Sequence, residues 1–250
     1  MSYFFESAGS GGDYFDVTDT SILSIPDDEW CMQVFIKRDQ ISTDTSSWSS
    51  EYLFSNGGFS SANTFHVYIN HTDNSINAKL TGGSGEVFHA NSSANACNST
   101  NWICLHIQRE SDGDIYFYRD NTAYSSEAFT QAQSSTIDLA SGFNVGRRGD
   151  ANTARYYDGY LAEWAFWSGR SLDSGERASL IAGGGSVASD LSTSLNYYRP
   201  FESDLTTGSG TLSITNNGAA QDAEHPSVGG GGGGSAIAAI SSNHLRMMGV

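Results

Sequence analysis

The chain has 250 residues, 38% hydrophobic and 12% aromatic, with 28 Gly and only 3 Pro, a balance suited to a core built from short strands joined by turns. Its 28 acidic residues against 12 basic ones give a formal net charge of -16, a field that disfavours nucleic-acid phosphates and anionic membranes as partners. Three cysteines, Cys31, Cys97 and Cys104, contain no CxxC pair and so indicate neither a zinc site nor a complete disulfide framework, although a Cys97 to Cys104 bridge is geometrically conceivable. In chain order, residues 1–6 lack a basic n-region and a long apolar h-region, so no secretory signal is expected, and no stretch is apolar enough to span a bilayer. Assembly in the cytosol is the expectation, and the sequons at Asn70, Asn91 and Asn98 then read as polar loop residues.

Residues 13–18 form the first expected strand, with Phe15 and Val17 on one face. Residues 29–37 form the second, placing Trp30, Met32, Val34 and Ile36 on one face and Cys31, Gln33 and Phe35 on the other, as in a strand covered on both sides. A Ser/Thr/Asp-rich loop over 41–50 carries Trp48. Residues 51–54, 64–70 and 74–80 read as an antiparallel meander, and 102–108 with 115–119 as a hairpin across Ser111-Asp112-Gly113-Asp114. The stretch 122–140 is weakly patterned, and 143–146 leads toward the segment that organises the chain.

That segment runs from Tyr157 to Glu176. Asp158-Gly159 supplies a turn, and simple alternation then puts Tyr160, Ala162, Trp164 and Phe166 on one face, with Leu161, Glu163, Ala165 and Trp167 on the other. Asp173 and Glu176 have capping-box spacing ahead of Ala178, Leu180 and Ile181, and Gly183-Gly184-Gly185 stops the helix. Residues 195–201 and 211–215 are expected closing strands. The fold class is all-β: a two-sheet antiparallel sandwich of about a dozen strands with one short helix, spanning 1–228. Residues 229–250 form a separate unit, six consecutive glycines (Gly229 to Gly234) and then an apolar arm. In that arm Ile237, Ile240, Leu245, Met247 and Met248 are candidates for docking on a partner.

The region 139–181 resembles the closing signature of the laminin-G/concanavalin-A-like jelly rolls: a strand ending near Gly146, an Asp/Gly-led strand from Asp158 to Phe166, and a helix start at Leu172-Asp173-Ser174-Gly175-Glu176. Gly12-Asp13-Tyr14-Phe15-Asp16-Val17 and Trp30 to Lys37 resemble that family's opening strands. Trp102 with Asp120-Asn121 resembles its Trp-led hairpin, with Asn121 where Gly is usual. The resemblance covers about residues 8–202 and rests on spacing. It implies a jelly roll and a structural calcium site, for which Asp13, Asp158 and Glu163 are the matching positions. The alternative is that Asp158 forms a turn, Asp13 is a turn or strand-start residue and Glu163 is a hydrogen-bonded residue of the sandwich.

Glycosidases need two carboxylates flanking the scissile bond, and no Glu-x-Asp-x-Glu run occurs; the positions alternate to Glu163 are Leu161 and Ala165. GxSxG and HExxH are absent too, so no catalytic residue is expected. Sugar binding of the kind the resemblance implies uses exposed aromatics, for which Trp48, Tyr124, Tyr156 and Tyr157 are candidates, against core or rim packing for the same residues. Arg148-Gly149-Asp150 spells an RGD tripeptide, for which a turn is sufficient explanation. The leading functional expectation is a non-catalytic attachment or decoration protein of a phage-type virus particle, assembled in host cytoplasm, with other virion proteins, copies of itself and cell-surface glycans as partners. A stand-alone carbohydrate-binding adhesion module is the second reading, and a glycoside hydrolase the third.

Overall fold

The computed structural model describes residues 2–6, 12–18, 24–41, 50–127, 136–139, 142–150, 155–183, 191, 194–199, 213–223 and 226. Trp48 and the arm with Ile237, Ile240, Leu245, Met247 and Met248 lie outside these residues. In chain order the strands are β1 (Ser2–Phe5), β2 (Tyr14–Thr18), β3 (Ser24–Ile25), β4 (Trp30–Arg38), β5 (Ser50–Ser55), β6 (Thr64–Asn70), β7 (Ile76–Thr81), β8 (Val87–Asn91) and β9 (Ile103–Arg109). They continue as β10 (Ile115–Arg119), β11 (Thr122–Glu127), β12 (Ile137–Asp138), β13 (Phe143–Val145), β14 (Gly159–Ser168), β15 (Leu195–Arg199), β16 (Ser213–Asn217) and β17 (Ala220–Asp222). Among the described residues the one α-helix, α1, spans Ser174–Ala182.

Two large antiparallel sheets form the sandwich. One has eight strands in the order β11-β10-β9-β4-β14-β1-β17, with β15 also paired to β14; the other has seven, β16-β2-β13-β5-β6-β7-β8. Trp30, Met32, Val34 and Ile36 of β4 face the core between them with Ile103, Leu105 and Ile107 of β9, the faces that alternation predicts. From the other sheet come Leu53, Phe54, Val67, Ile69, Ala78 and Leu80. The aromatic contacts cross the gap, Phe54 stacking on Trp164 at 5.7 Å and Phe65 meeting the Trp30 ring edge-on at 6.1 Å. Burying a side chain of this size contributes roughly 1.5–3 kcal/mol, so this layer is the main source of stability.

The central strand β14 is covered on both sides as expected, but its faces are not those of simple alternation. Leu161, Trp164 and Phe166 point into the core, while Ala165 and Trp167 pack outside with Leu172, Leu180 and Leu191. The cause is a β-bulge: β4 pairs with Ala162 through Phe35 and with Ala165 through Gln33, leaving Glu163 and Trp164 opposite one residue. Glu163 takes φ 53, and its carbonyl accepts from Gln33 Nε2 at 3.2 Å. The extra residue shifts the phase by one, and everything after Glu163 changes face.

Helix α1 follows its sequence signals. The Asp173 carboxylate accepts from the amides of Gly175 and Glu176 at 2.7 and 2.9 Å, the Glu176 side chain returns to the Asp173 amide at 3.0 Å, and Gly183 ends the helix. Such a cap contributes about 1 kcal/mol. The helix covers the outer face of β14 and β4, where Trp167 Nε1 also donates to Leu191 O at 2.8 Å. Under it His106 Nε2 lies 3.1 Å from Gln33 Oε1, a fully buried pair that reads as neutral imidazole donating to amide oxygen.

One end of the sandwich is closed by a buried ion pair. Arg38, at the end of β4, grips both oxygens of Glu51 on β5 at 3.1 and 2.7 Å and also donates to Asn74 Oδ1 at 2.7 Å and Cys97 O at 3.0 Å. His71 Nε2 lies 2.9 Å from the same Glu51 carboxylate. All three cysteines are free and buried, so there is no Cys97 to Cys104 bridge. Cys97 lies in the inter-sheet core and Cys104 on the outer face of β9, on opposite sides of a sheet. Burial pushes the Cys97 thiol up to about 12, well outside the reactive range. Among the described residues no helix is long and apolar enough to cross a membrane.

Candidate functional site

The outward face of the seven-stranded sheet is polar along one continuous line. Thr215, Asp16, Asn144, Ser55, His66, Lys79 and His89 are successive cross-strand partners from β16 to β8. Asp16, Asn144, His66, Lys79 and His89 each sit between inward apolar neighbours, as Asp16 does between Phe15 and Val17, so alternation turns them outward. A second row, Tyr52, Tyr68, Asn77 and Asn91, runs beside it.

Loops close the middle of this face. Phe59 lies over His66 and Tyr68, with ring centroids 5.6 and 6.0 Å apart, and the Lys79 ammonium sits 3.4 Å above the Phe59 ring while bonding its carbonyl. Asn56 holds this loop through Asn63 O at 2.9 Å and the Phe65 amide at 2.6 Å. From the other side the Gly149 amide donates to Ser55 Oγ at 3.0 Å, and a Cβ at Gly149 would stand 2.3 Å from Gly57 N, so only glycine allows this approach. Ser55 Oγ lies 2.6 Å from His66 Nδ1, and burial, helped by Lys79 and Arg148, lowers the His66 pKa to about 3. This Ser-His contact is a neutral, fully buried clamp under the loops. Burial lowers His89 too, and its Nε2 lies 3.2 Å from both Tyr68 OH and Asn77 Oδ1.

At the β16-β2-β13 end the face opens into a cleft of about 460 Å³ lined by Asp16, Thr18, Asn56, Gly57, Asn144, Arg147, Gly149 and Thr215. The Asp16 carboxylate is fixed by three donors: Asn144 Nδ2, Arg147 Nη2 at 3.4 Å, and Asn217 Nδ2 at 3.1 Å. Arg147 in turn lies 3.3 Å above the Tyr14 ring and donates to Asn144 Oδ1 at 3.3 Å. The carboxylate side chain keeps 38% of its exposure, so it still faces the cleft with acceptor capacity to spare. The result is a set of acceptors and donors, oriented before any ligand arrives, beside an aromatic ring.

The sequence-derived candidates fall around this cleft unevenly. Tyr156 is beside it: it bridges to Arg147, and its ring is 6.5 Å from Tyr14. Tyr157 is fully buried between the sheets, edge-on to Phe5 at 6.3 Å, and offers no ring face to a ligand. Tyr124 lies on β11 of the opposite sheet, half-buried with the Arg119 guanidinium 5.9 Å from its ring. Asp13, Asp158 and Glu163 are not brought together. Asp13 accepts from the Glu6 amide at 3.1 Å, Asp158 from Gln40 at 3.4 Å, and Glu163 from the Tyr198 hydroxyl. Among the described residues no group of three His, Cys, Asp or Glu side chains is placed to hold a metal ion. In the RGD tripeptide, Arg148 Nε donates to Asp150 Oδ1 at 2.6 Å, so its two charges pair with each other.

Residues 9–176 match the family model of the concanavalin A-like lectin/glucanases superfamily (Laminin_G_3). The chain belongs to that superfamily. No curated protein matches the sequence. Among solved structures it is similar to a "putative carbohydrate binding protein" of Bacteroides ovatus ATCC 8483, with TM-score 0.61 and 13% identity over 91% of this chain and 61% of that one. It is also similar to the botulinum neurotoxin serotype G binding domain, with TM-score 0.52 and 12% identity over 74% of this chain and 46% of that one. For the receptor binding domain of the botulinum neurotoxin C/D mosaic serotype the TM-score is 0.50 at 12% identity, over 73% and 42%. The chain therefore spans less than two thirds of these structures, and at such identities the similarity is one of fold.

Proposed function

We propose that this protein is a non-catalytic carbohydrate-binding module that takes a glycan into the open cleft at Asp16, Asn144, Arg147 and Asn217. The observation that carries the proposal is the pre-oriented network around the Asp16 carboxylate. Adjacent sugar hydroxyls need acceptors and donors a fixed distance apart, and a carboxylate flanked by amides and a guanidinium presents both without reorganisation. Superfamily membership and the similarity in fold to the putative carbohydrate binding protein of Bacteroides ovatus support the reading. The polar line carries one carboxylate, Asp16, where glycoside cleavage calls for two, which favours binding over hydrolysis. The contacts require no cation.

Calorimetric titration with a glycan selected on an array tests the proposal. Hydrogen bonds to charged groups contribute roughly 1.5–3 kcal/mol, so Asp16→Ala and Arg147→Ala should each weaken binding by at least about tenfold, while Tyr124→Ala leaves it unchanged. Wild-type affinity in Asp16→Ala would overturn the assignment.

The setting we propose for such a module is the surface of a phage-type virus particle, as an attachment or decoration component. The supporting observation is the arm after Gly234, apolar at Ile237, Ile240, Leu245, Met247 and Met248 and suited to contact with other particle proteins or further copies. Deletion of residues 235–250 should abolish incorporation into particles and spare glycan binding; undiminished incorporation would count against this setting.

A further inference from the structure

Charge decides which glycans the cleft at Asp16 can hold. Of the residues that line it, Asp16 and Arg147 are the charged ones, and they pair with each other at 3.4 Å. They do not show equally at the surface, because 38% of the Asp16 side chain is exposed against 15% of Arg147. The guanidinium is already engaged. The Tyr14 ring covers it at 3.3 Å, Nε donates to Asn144 Oδ1 and Nη2 to Asp16. The next ion pair along the chain repeats the arrangement: Arg148, 13% exposed, is bonded to Asp150, 32% exposed, on the loop that brings Gly149 into the cleft wall. Both pairs hold the cation inside and turn the carboxylate outward, in a chain of net charge -16.

Resting on the glycan-binding reading above, we infer that the cleft selects uncharged glycans and that Asp16 is the residue that turns away sugars bearing a uronate or a sulfate. A neutral hydroxyl can donate to the Asp16 carboxylate and accept from an amide beside it. An anionic group has no proton to give there and meets a like charge at close range. It could reach Arg147 only by displacing Asp16, which would leave that carboxylate without its ion partner. Asp16→Asn keeps an acceptor oxygen but removes the charge, and so frees the Arg147 guanidinium to pair with an acidic sugar. The side chain that holds the ligand thus also sets its class.

Matched oligosaccharides test this on the full chain: an array carries each neutral sugar beside its monosulfated and its uronate form, and the members that bind are compared by calorimetry. In the wild type the acidic forms should bind at least about tenfold more weakly than the neutral parent. In Asp16→Asn that ratio should shrink by at least about tenfold, whatever the variant does to the neutral sugar itself. An acidic form that binds the wild type as tightly as its parent, and is lost in Asp16→Ala, overturns the inference and leaves the binding site standing. A ratio unchanged in Asp16→Asn overturns the part given to Asp16. Binding that ignores Asp16→Ala, or no binding of either form, overturns the reading on which the inference rests and the inference with it.

Discussion

Replacing Arg38 with Met should cost roughly 3–5 kcal/mol of folding stability, read as a lower urea midpoint with an unchanged slope. Arg38 is fully buried and Glu51 only 3% exposed, so the substitution leaves a carboxylate inside the protein without its bidentate partner. It also removes the donor to Asn74 Oδ1 and Cys97 O, which anchor the β6–β7 turn and the segment after β8. One side chain therefore ties the eight-stranded sheet to the seven-stranded sheet and to two connections. The double variant Arg38→Met with Glu51→Leu should recover part of the loss, because the uncompensated charge is gone while the Asn74 and Cys97 oxygens stay unpaired. A double variant no more stable than Arg38→Met would show that the loss arises from those oxygens and not from the stranded Glu51.

Acid should destabilise the fold from near neutrality, well above the range where carboxylates titrate. Burial, helped by Arg177, lowers His106 to about 3, and burial, helped by Lys79 and Arg148, lowers His66 to about 3. Both are therefore neutral in the native state, whereas in the unfolded chain a histidine takes up a proton below about 6.5. A lowered folded pKa means stability that is fully present above about 6.5 and is lost as pH falls toward about 3, where the effect levels off. Each histidine contributes a slope of about 1.4 kcal/mol per pH unit in that window, so the pair gives about 2.7. Urea midpoints at pH 7, 6 and 5 check this, and His106→Gln, which keeps a polar partner for Gln33, should remove about half the slope. A stability that is flat between pH 7 and 5 would contradict the burial of two neutral imidazoles.

The sequence carries the strands whose alternation is uninterrupted. In β4 and β9 every second residue is large and apolar, and the structure puts those residues in the core. The cap at Asp173 was legible because its chemistry is local, complete within four residues. The faces of β14 were not, because one added residue at Glu163 reverses the phase and nothing near Leu161-Ala162-Glu163-Trp164 marks it. Strand β1 escaped because Ser2–Phe5 has no period of its own and is strand only through its pairing with β14 and β17. All of β11 lies in the weakly patterned region, and β10 is what organises it.

The candidate cleft shows the same division. That Asp16 and Asn144 point outward follows from Phe15 and Val17, and from Phe143 and Val145, on either side of them. That they meet depends on the pairing of β13 with β2 across more than a hundred residues, which no local pattern encodes. Tyr156 and Tyr157 are adjacent, and a loop reading made both available to ligand. The Tyr157 amide bonds to Gly146 O at 2.8 Å and turns its ring into the core, leaving only Tyr156 beside Arg147.

The most direct test of the central claim is residue-resolved NMR of the full chain titrated with an array-selected glycan. Saturable shifts at Asp16, Asn144, Arg147 and Asn217, with Trp102 and Ile181 unmoved, are the expected result. Saturable shifts confined to any other face of the sandwich would contradict it.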